Sequence, residues 1–133
     1  MILVTGATGH LGNVLVRNLV AGGARVRALL LPDDRCPALQ SLDVEPIRGS
    51  VLDPDSLDTA MEGVDTVYHL AAIISIIPGA AAMMHRVNVE GVGNVAAAAL
   101  RSGVDRLVHV GSVHAFERMP QGTVVYETTP LAL

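Results

Sequence analysis

Apolar residues are arranged along this chain in two alternating ways: short unbroken runs, and longer stretches with a single apolar face. Ile2 to Thr5 is a run that stops at a glycine, and Val26 to Leu31 is halted by Pro32-Asp33-Asp34. Val44 to Ile47, Val64 to Leu70 and Leu107 to Val110 complete the set. Runs without polar alternation predict strands of a parallel sheet covered on both faces. Between them the period becomes helical. From His10 onward Leu11, Val14, Leu15 and Leu19 fall on one face, Arg17 points away, and Gly22-Gly23 ends the helix. Pro54 through Glu62 predicts a short helix with Asp53 as N-cap and Pro54 at its first position. His85 to Arg101 predicts a long helix carrying Val87, Val89, Val92, Val95, Ala96 and Ala99. Gly91 and Gly93 would let it approach the sheet closely. The order strand–helix–strand–strand–helix–strand–helix–strand, with short connections, predicts an α/β fold with helices on both faces of a parallel sheet.

Composition narrows the function classes. A chain of 133 residues suits one domain with a real core. Tyr68, Phe116 and Tyr126 are the only aromatic residues and the net charge is −4. Stacking platforms and basic grooves are both missing, so no nucleic-acid partner is expected. All nine basic residues are arginines; there is no lysine. The single Cys36 permits no internal disulfide, which fits a reducing cytosol. Met1 to Gly6 lacks the basic start of a signal peptide. The weakly polar stretch from Ala71 to Met84, interrupted by Pro78-Gly79, is shorter than the ~20 apolar residues of a membrane span. A cytoplasmic protein with no membrane role is expected. Five scattered histidines without partner spacing predict no metal site, and His69 and His114 read as packed or solvent-facing.

The candidate chemistry lies between the first strand and first helix, at Gly6-Ala7-Thr8-Gly9-His10-Leu11-Gly12. Gly6 permits a sharp turn, Gly9 lets backbone approach a pyrophosphate, and Gly12 lets helix and strand pack closely. The helix N-terminus behind them offers free N–H groups to phosphates. A glycine triplet alone is a weak signal, and a tight turn without ligand would look the same. Here it stands in the context a dinucleotide site needs, strand before and amphipathic helix after.

At these residues the chain resembles the extended short-chain dehydrogenase/reductase superfamily, which includes the NAD-dependent epimerases and dehydratases and dihydroflavonol-reductase-like enzymes. Gly49-Ser50-Val51-Leu52-Asp53, His69-Leu70-Ala71-Ala72 and Val87-Asn88-Val89-Glu90-Gly91 are similar to three further family segments, in the right order. The resemblance implies a Rossmann-type doubly wound sheet of about five strands in the order 3-2-1-4-5. It implies cofactor contacts at Gly6, Thr8, Gly9, His10, Leu11, Gly12, Leu52, Leu70, Ala71 and Ala72. Asp53 would accept from the adenine amine, or serve simply as the helix N-cap, and one carboxylate can do both. Asn88 would hold a bent helix or a water chain, or be an ordinary polar helix residue. Gly111-Ser112-Val113-His114-Ala115-Phe116 resembles the segment with the family's catalytic Ser or Thr, which makes Ser112 the candidate to hydrogen-bond the substrate's reacting oxygen; the alternative is a serine merely ending a strand.

The choice between NAD and NADP stays open. An acid at the end of the second strand would bind the ribose diol, and an arginine there the 2′-phosphate. This chain has Leu30-Leu31, then Pro32, Asp33, Asp34 and Arg35. Val26 to Leu29 resembles NADP-using relatives and tilts the expectation toward NADP, although their usual arginine is Leu31 here; Arg35 would reach a 2′-phosphate, and Asp33 or Asp34 a diol. The family's Tyr-x-x-x-Lys pair has no counterpart: Tyr126 has Pro130 as its fourth neighbour. The expectation is therefore a single domain over residues 1–133 that ends before the active-site helix and substrate region and does not turn over alone. In the complete enzyme it would serve hydride transfer on a hydroxyl or carbonyl substrate, such as a nucleotide sugar or small ketone or alcohol, with Ile73 to Ile77 as an apolar wall. A homodimer is a further expected arrangement. A non-catalytic dinucleotide-sensing or interaction module is the alternative.

Overall fold

The computed structural model describes residues 1–132. Five strands, β1 (Ile2–Thr5), β2 (Val26–Leu30), β3 (Val44–Arg48), β4 (Thr66–His69) and β5 (Arg106–His109), form one sheet in the order β3-β2-β1-β4-β5. Every pairing is parallel, with Val4 beside Ala28 on one side and Tyr68 on the other. The expected Rossmann-type order is therefore observed. The sheet reverses direction of growth between β1 and β4, and open α/β sheets hold ligands at the carboxyl ends of the strands at such a point.

Two apolar clusters, one on each face, hold the layers together. Leu3, Leu29 and Val67 pack against Leu57 and Ala60 of α2 (Pro54–Ala60), its C-cap Met61, and Val95, Ala98 and Ala99 of α4 (Gly91–Arg101). On the other face Val4, Val26, Ala28 and Leu30 pack against Val16 of α1 (His10–Ala21) and against Leu39. Arg27 of β2 donates through Nη1 to the carbonyls of Ala60 and Glu62, both at 2.8 Å, satisfying the carboxyl end of α2.

Local details depart from the sequence reading. Leu11 and Val14 of α1 are exposed, at 62% and 51%, while Gly12 and Val16 are buried. Gly12 sits directly on the Gly6 carbonyl, so the positions three and four residues on from it, Leu15 and Val16, turn inward with it. The long helix begins earlier than expected, as α3 (Ala81–His85). It passes through a π-helical turn at Arg86–Glu90 before continuing as α4. Gly79, at φ +90°, turns the chain into an alanine-rich start with high helix propensity. Val89 points to solvent. Among the described residues β5 pairs with one strand, β4, and its Leu107 is 37% exposed. Beyond it residues 113–132 form an irregular excursion closed by an antiparallel bridge between Phe116 and Leu131.

Candidate functional site

The chain leaves β1 through Gly6, whose φ of +69° lies in the left-handed region, and the Gly9 N–H donates to the Gly6 carbonyl at 3.0 Å. A Cβ on Gly6 would stand 2.7 Å from the backbone of Leu70 and Ala71; one on Gly12 would stand 2.0 Å from the Gly6 oxygen. The turn is thus clamped between the end of β4 and the first turn of α1. That helix starts without a side-chain cap and with no acidic residue in its first turn. Its first N–H groups and the positive end of its dipole remain free to meet an anion.

Above the turn lies a cleft of about 280 Å³, lined by Thr5, Gly6, Thr8, Gly9, Leu29, Leu31, Asp34, Gly49, Ser50, Val51, Leu70, Ala71, Ala72, Ile73 and Val87. Of the expected contact residues, Gly6, Thr8, Gly9, Leu70, Ala71 and Ala72 come together there. Gly12 lies beneath the turn. His10 and Leu11 are exposed on the first turn of α1, and Leu52 packs against the α2–α4 cluster. Asp53 is the N-cap of α2, its Oδ1 accepting from the N–H groups of Asp55 (3.2 Å) and Ser56 (3.4 Å), and it does not line the cleft.

Arg35 is not in the cleft either. It lines a separate cavity of about 270 Å³ with Cys36, Leu39 and Arg48, while Asp34 faces the cleft. The loop after β2 is folded by Arg48, whose Nη1 donates to the carbonyls of Leu31 and Asp34. The Cys36 N–H donates to Asp34 Oδ1 at 2.9 Å, and Cys36 adopts φ +39°, the one left-handed non-glycine residue among those described. This crossing of adjacent residues to opposite sides could not be read from the order Asp34-Arg35.

The β4 end of the cleft is built from buried polar groups. The Thr5 hydroxyl accepts from the Ala71 N–H at 3.2 Å and lies 2.7 Å from His69 Nδ1. The hydroxyl has one proton and two acceptor lone pairs, so it pairs with Nδ1 in either imidazole tautomer while receiving the Ala71 N–H. His69 is 1% exposed, and its Nε2 has no partner among the described residues. It stacks on His109, with ring centroids 5.3 Å apart. Burial, with the neighbouring His109 adding to it, pushes the His69 pKa down to about 4, so the ring is neutral at pH 7. Sequence order gave no sign of this pair, because Thr5 and His69 meet only through the β1–β4 register.

Asn88, in the π-helical turn, accepts from the Ile73 N–H and donates to the Ile73 carbonyl, both at 2.8 Å. The side-chain amide thus closes on one residue of the cleft wall as a second strand would. Asn94 similarly donates to the Val51 carbonyl at 3.0 Å. Replacing Asn88 by Ala leaves two partly buried backbone groups unpaired, a loss of about 1–3 kcal/mol. The expected result is accelerated proteolytic cleavage between Ile74 and Ile77, measured against the parent chain. Ser112 lies three residues past β5, exposed, with its Oγ accepting from the His114 N–H at 3.2 Å. Its hydroxyl proton is free to be donated.

Among the described residues no group of three or more His, Cys, Asp or Glu could hold a metal, and no helix is long and apolar enough to cross a membrane. The model of the NAD-dependent epimerase/dehydratase family matches residues 2–132. The chain belongs to this family. Sterol demethylase protein B of Methylococcus capsulatus is 45% identical over 120 residues, 90% of this chain and 37% of that protein. A short-chain dehydrogenase/reductase superfamily protein from Agrobacterium tumefaciens, solved with bound NAD, shares 35% identity with a TM-score of 0.85, covering 99% of this chain and 39% of its own. MoeE5, solved with UDP-glucose and NAD, shares 29% identity with a TM-score of 0.80, covering 98% of this chain and 42% of its own. The chain therefore spans about two fifths of the length of these proteins, matching their N-terminal portion. These relatives do not favour a sensing or interaction module.

Proposed function

We propose that residues 1–132 form the NAD site of an oxidoreductase or epimerase acting on a hydroxyl or carbonyl substrate. The observation that carries this is the uncapped N-terminus of α1 set behind a turn whose Gly6 and Gly12 leave no room for a Cβ, at the edge of the cleft. The glycine turn and the first N–H groups of α1 would hold the pyrophosphate. Gly49 to Val51 would flank the adenine, and Leu70 to Ile73 the nicotinamide end. The bound dinucleotide would supply the hydride acceptor or donor.

Asp34 supports NAD rather than NADP. Its Oδ1 is held by the Cys36 N–H, while Oδ2 makes no hydrogen bond among the described residues and is available to a ribose diol. A 2′-phosphate placed there would meet a carboxylate. Ser112, at the carboxyl end of β5, would donate its free proton to the substrate's oxygen and orient it. A tyrosine and lysine to move the proton would lie in sequence outside this domain, since the chain contains no lysine. On this reading it is a single cofactor-binding domain that does not turn over by itself. Calorimetric titration tests the reading: one NADH should bind per chain, with NADPH at least about tenfold weaker. Asp34→Ala should weaken NADH by about tenfold, the worth of a hydrogen bond to a charged group, and narrow the gap to NADPH. Failure of a folded chain to bind either dinucleotide would remove the proposal, and tighter NADPH would remove only the cofactor choice.

A further inference from the structure

We propose that Arg48, which does not line the cofactor cleft, is a positioning residue that sets the choice of dinucleotide by holding Asp34 in place. This rests on the dinucleotide reading, in which Asp34 meets the ribose diol. Leu30 and Cys36 are buried, but no residue from Leu31 to Arg35 is. Packing therefore does not fix this loop, and a cavity of about 270 Å³ lined by Arg35, Cys36 and Arg48 leaves it space to move into. Hydrogen bonds hold it instead. The Asp34 N–H donates to the Leu31 carbonyl at 3.0 Å, which closes a turn. Parallel pairing sets Arg48, the last residue of β3, beside Leu30. From there its Nη1 donates to the Leu31 carbonyl at 2.8 Å and also to the Asp34 carbonyl. One guanidinium nitrogen thus fixes both ends of the turn.

Arg48 holds Asp34 by its backbone and leaves the carboxylate alone. Among the described residues Arg48 forms no ion pair. Asp34 Oδ1 takes the Cys36 N–H at 2.9 Å, and Oδ2 has no protein partner. An arginine paired directly with the carboxylate would occupy the oxygens that a ribose diol needs. Held through the carbonyl, the side chain is preorganised with Oδ2 still open. Leu31 is exposed and Asp34 half-buried, so water can replace Arg48 at the two carbonyls. Losing Arg48 therefore loosens the loop without unfolding the domain, and ordering the loop on binding then opposes NADH. NADPH gains nothing from Asp34, because its 2′-phosphate would meet a carboxylate. Only the NADH complex should suffer.

The test is calorimetric titration of the chain with NADH and NADPH, with thermal melts as the check on folding. Arg48→Met should weaken NADH at least about fivefold and leave NADPH within about twofold, with a melting temperature close to the parent's. In an Asp34→Ala background the same substitution should add nothing, because two residues acting through one group are not additive. Arg35 is the charge control. It sits in the same loop and is engaged only through its carbonyl, by Gln40 Nε2 at 3.4 Å. Arg35→Met should leave both affinities within about twofold. Arg48→Gln, whose amide is too short to bridge the two carbonyls, should repeat the Arg48→Met result and stands in for it if that variant does not fold. Any of five results overturns the proposal. These are unchanged NADH affinity in a folded Arg48 variant, an equal loss of both dinucleotides, a larger loss of NADPH (which would make Arg48 a phosphate contact), additive loss in the Asp34→Ala background, or the same NADH loss from Arg35→Met. Failure of the folded parent chain to bind either dinucleotide would instead count against the underlying dinucleotide reading.

Discussion

Replacing Gly12 by Ala is expected to abolish NAD binding and to destabilise the domain by about 3 kcal/mol or more. The added Cβ would lie 2.0 Å from the Gly6 oxygen and 2.8 Å from the Gly6 carbonyl carbon. Both are backbone atoms, and no rotamer change can relieve the contact. Gly6 has little room to retreat, because even one added carbon there would stand 2.7 Å from the backbone of Leu70 and Ala71. The first turn of α1 would have to lift away from β1, taking its free N–H groups out of reach of the pyrophosphate and opening the packing of Val16 on Val4. Overpacking of a tight interior costs about 1–3 kcal/mol when side chains can yield, and more when only backbone can. Gly93→Ala is the matched control. A Cβ there meets nothing within 4 Å, and the residue lies inside α4. That substitution should stabilise by up to about 1 kcal/mol through helix propensity, with NAD binding intact. Thermal melts and calorimetry on the two variants separate the cases. Equal behaviour of Gly12→Ala and Gly93→Ala would show that close packing at the turn is not what the glycine supplies.

The fold was legible because its signals are local. An unbroken run such as Ile2 to Thr5 marks a buried parallel strand, the change of period after Gly9 marks α1, and the crossover rules leave few ways to order five such strands. The glycine turn was legible for the same reason. What the pattern could not carry was orientation around an axis. Leu11 and Val14 are as apolar as Val16, and only the seating of Gly12 on the Gly6 carbonyl decides which of them faces the sheet. Asp34 and Arg35 differ by one residue but belong to opposite sides of a loop, a division made by Arg48 from β3 and by the left-handed Cys36. The clamp of Asn88 on Ile73 and the Thr5–His69 pair join residues 15 and 64 positions apart. Their spacing follows no period, so they became visible only when the strands were in register.

Acidification should destabilise this domain through His69, and loosen the cleft as it does so. The folded ring has its pKa pushed down to about 4 from an ordinary 6.5, by burial first and then by the charge of His109. The unfolded chain therefore takes up a proton that the folded chain refuses. Above pH 6.5 neither state is protonated and the contribution is fully present. Stability then falls with pH from about 6.5 to 4, and below 4 both states carry the proton and the loss levels off. The whole loss is about 3 kcal/mol, of which about 2 kcal/mol is gone by pH 5. The structural cause is specific. The ring is 1% exposed and its Nε2 has no partner among the described residues, so the protonated form would bury a charge and an unpaired N–H beside the Thr5 hydroxyl that receives the Ala71 N–H. Ala71 lines the cleft, and NAD affinity should fall over the same pH interval. Urea unfolding at pH 7.5 and pH 5.0 measures the first effect and calorimetry the second. His69→Gln, which cannot titrate, should start less stable and show a much flatter dependence between these pH values. An identical slope in the variant would place the acid sensitivity elsewhere, among the surface carboxylates, and would separate the buried pair from the behaviour of the cleft.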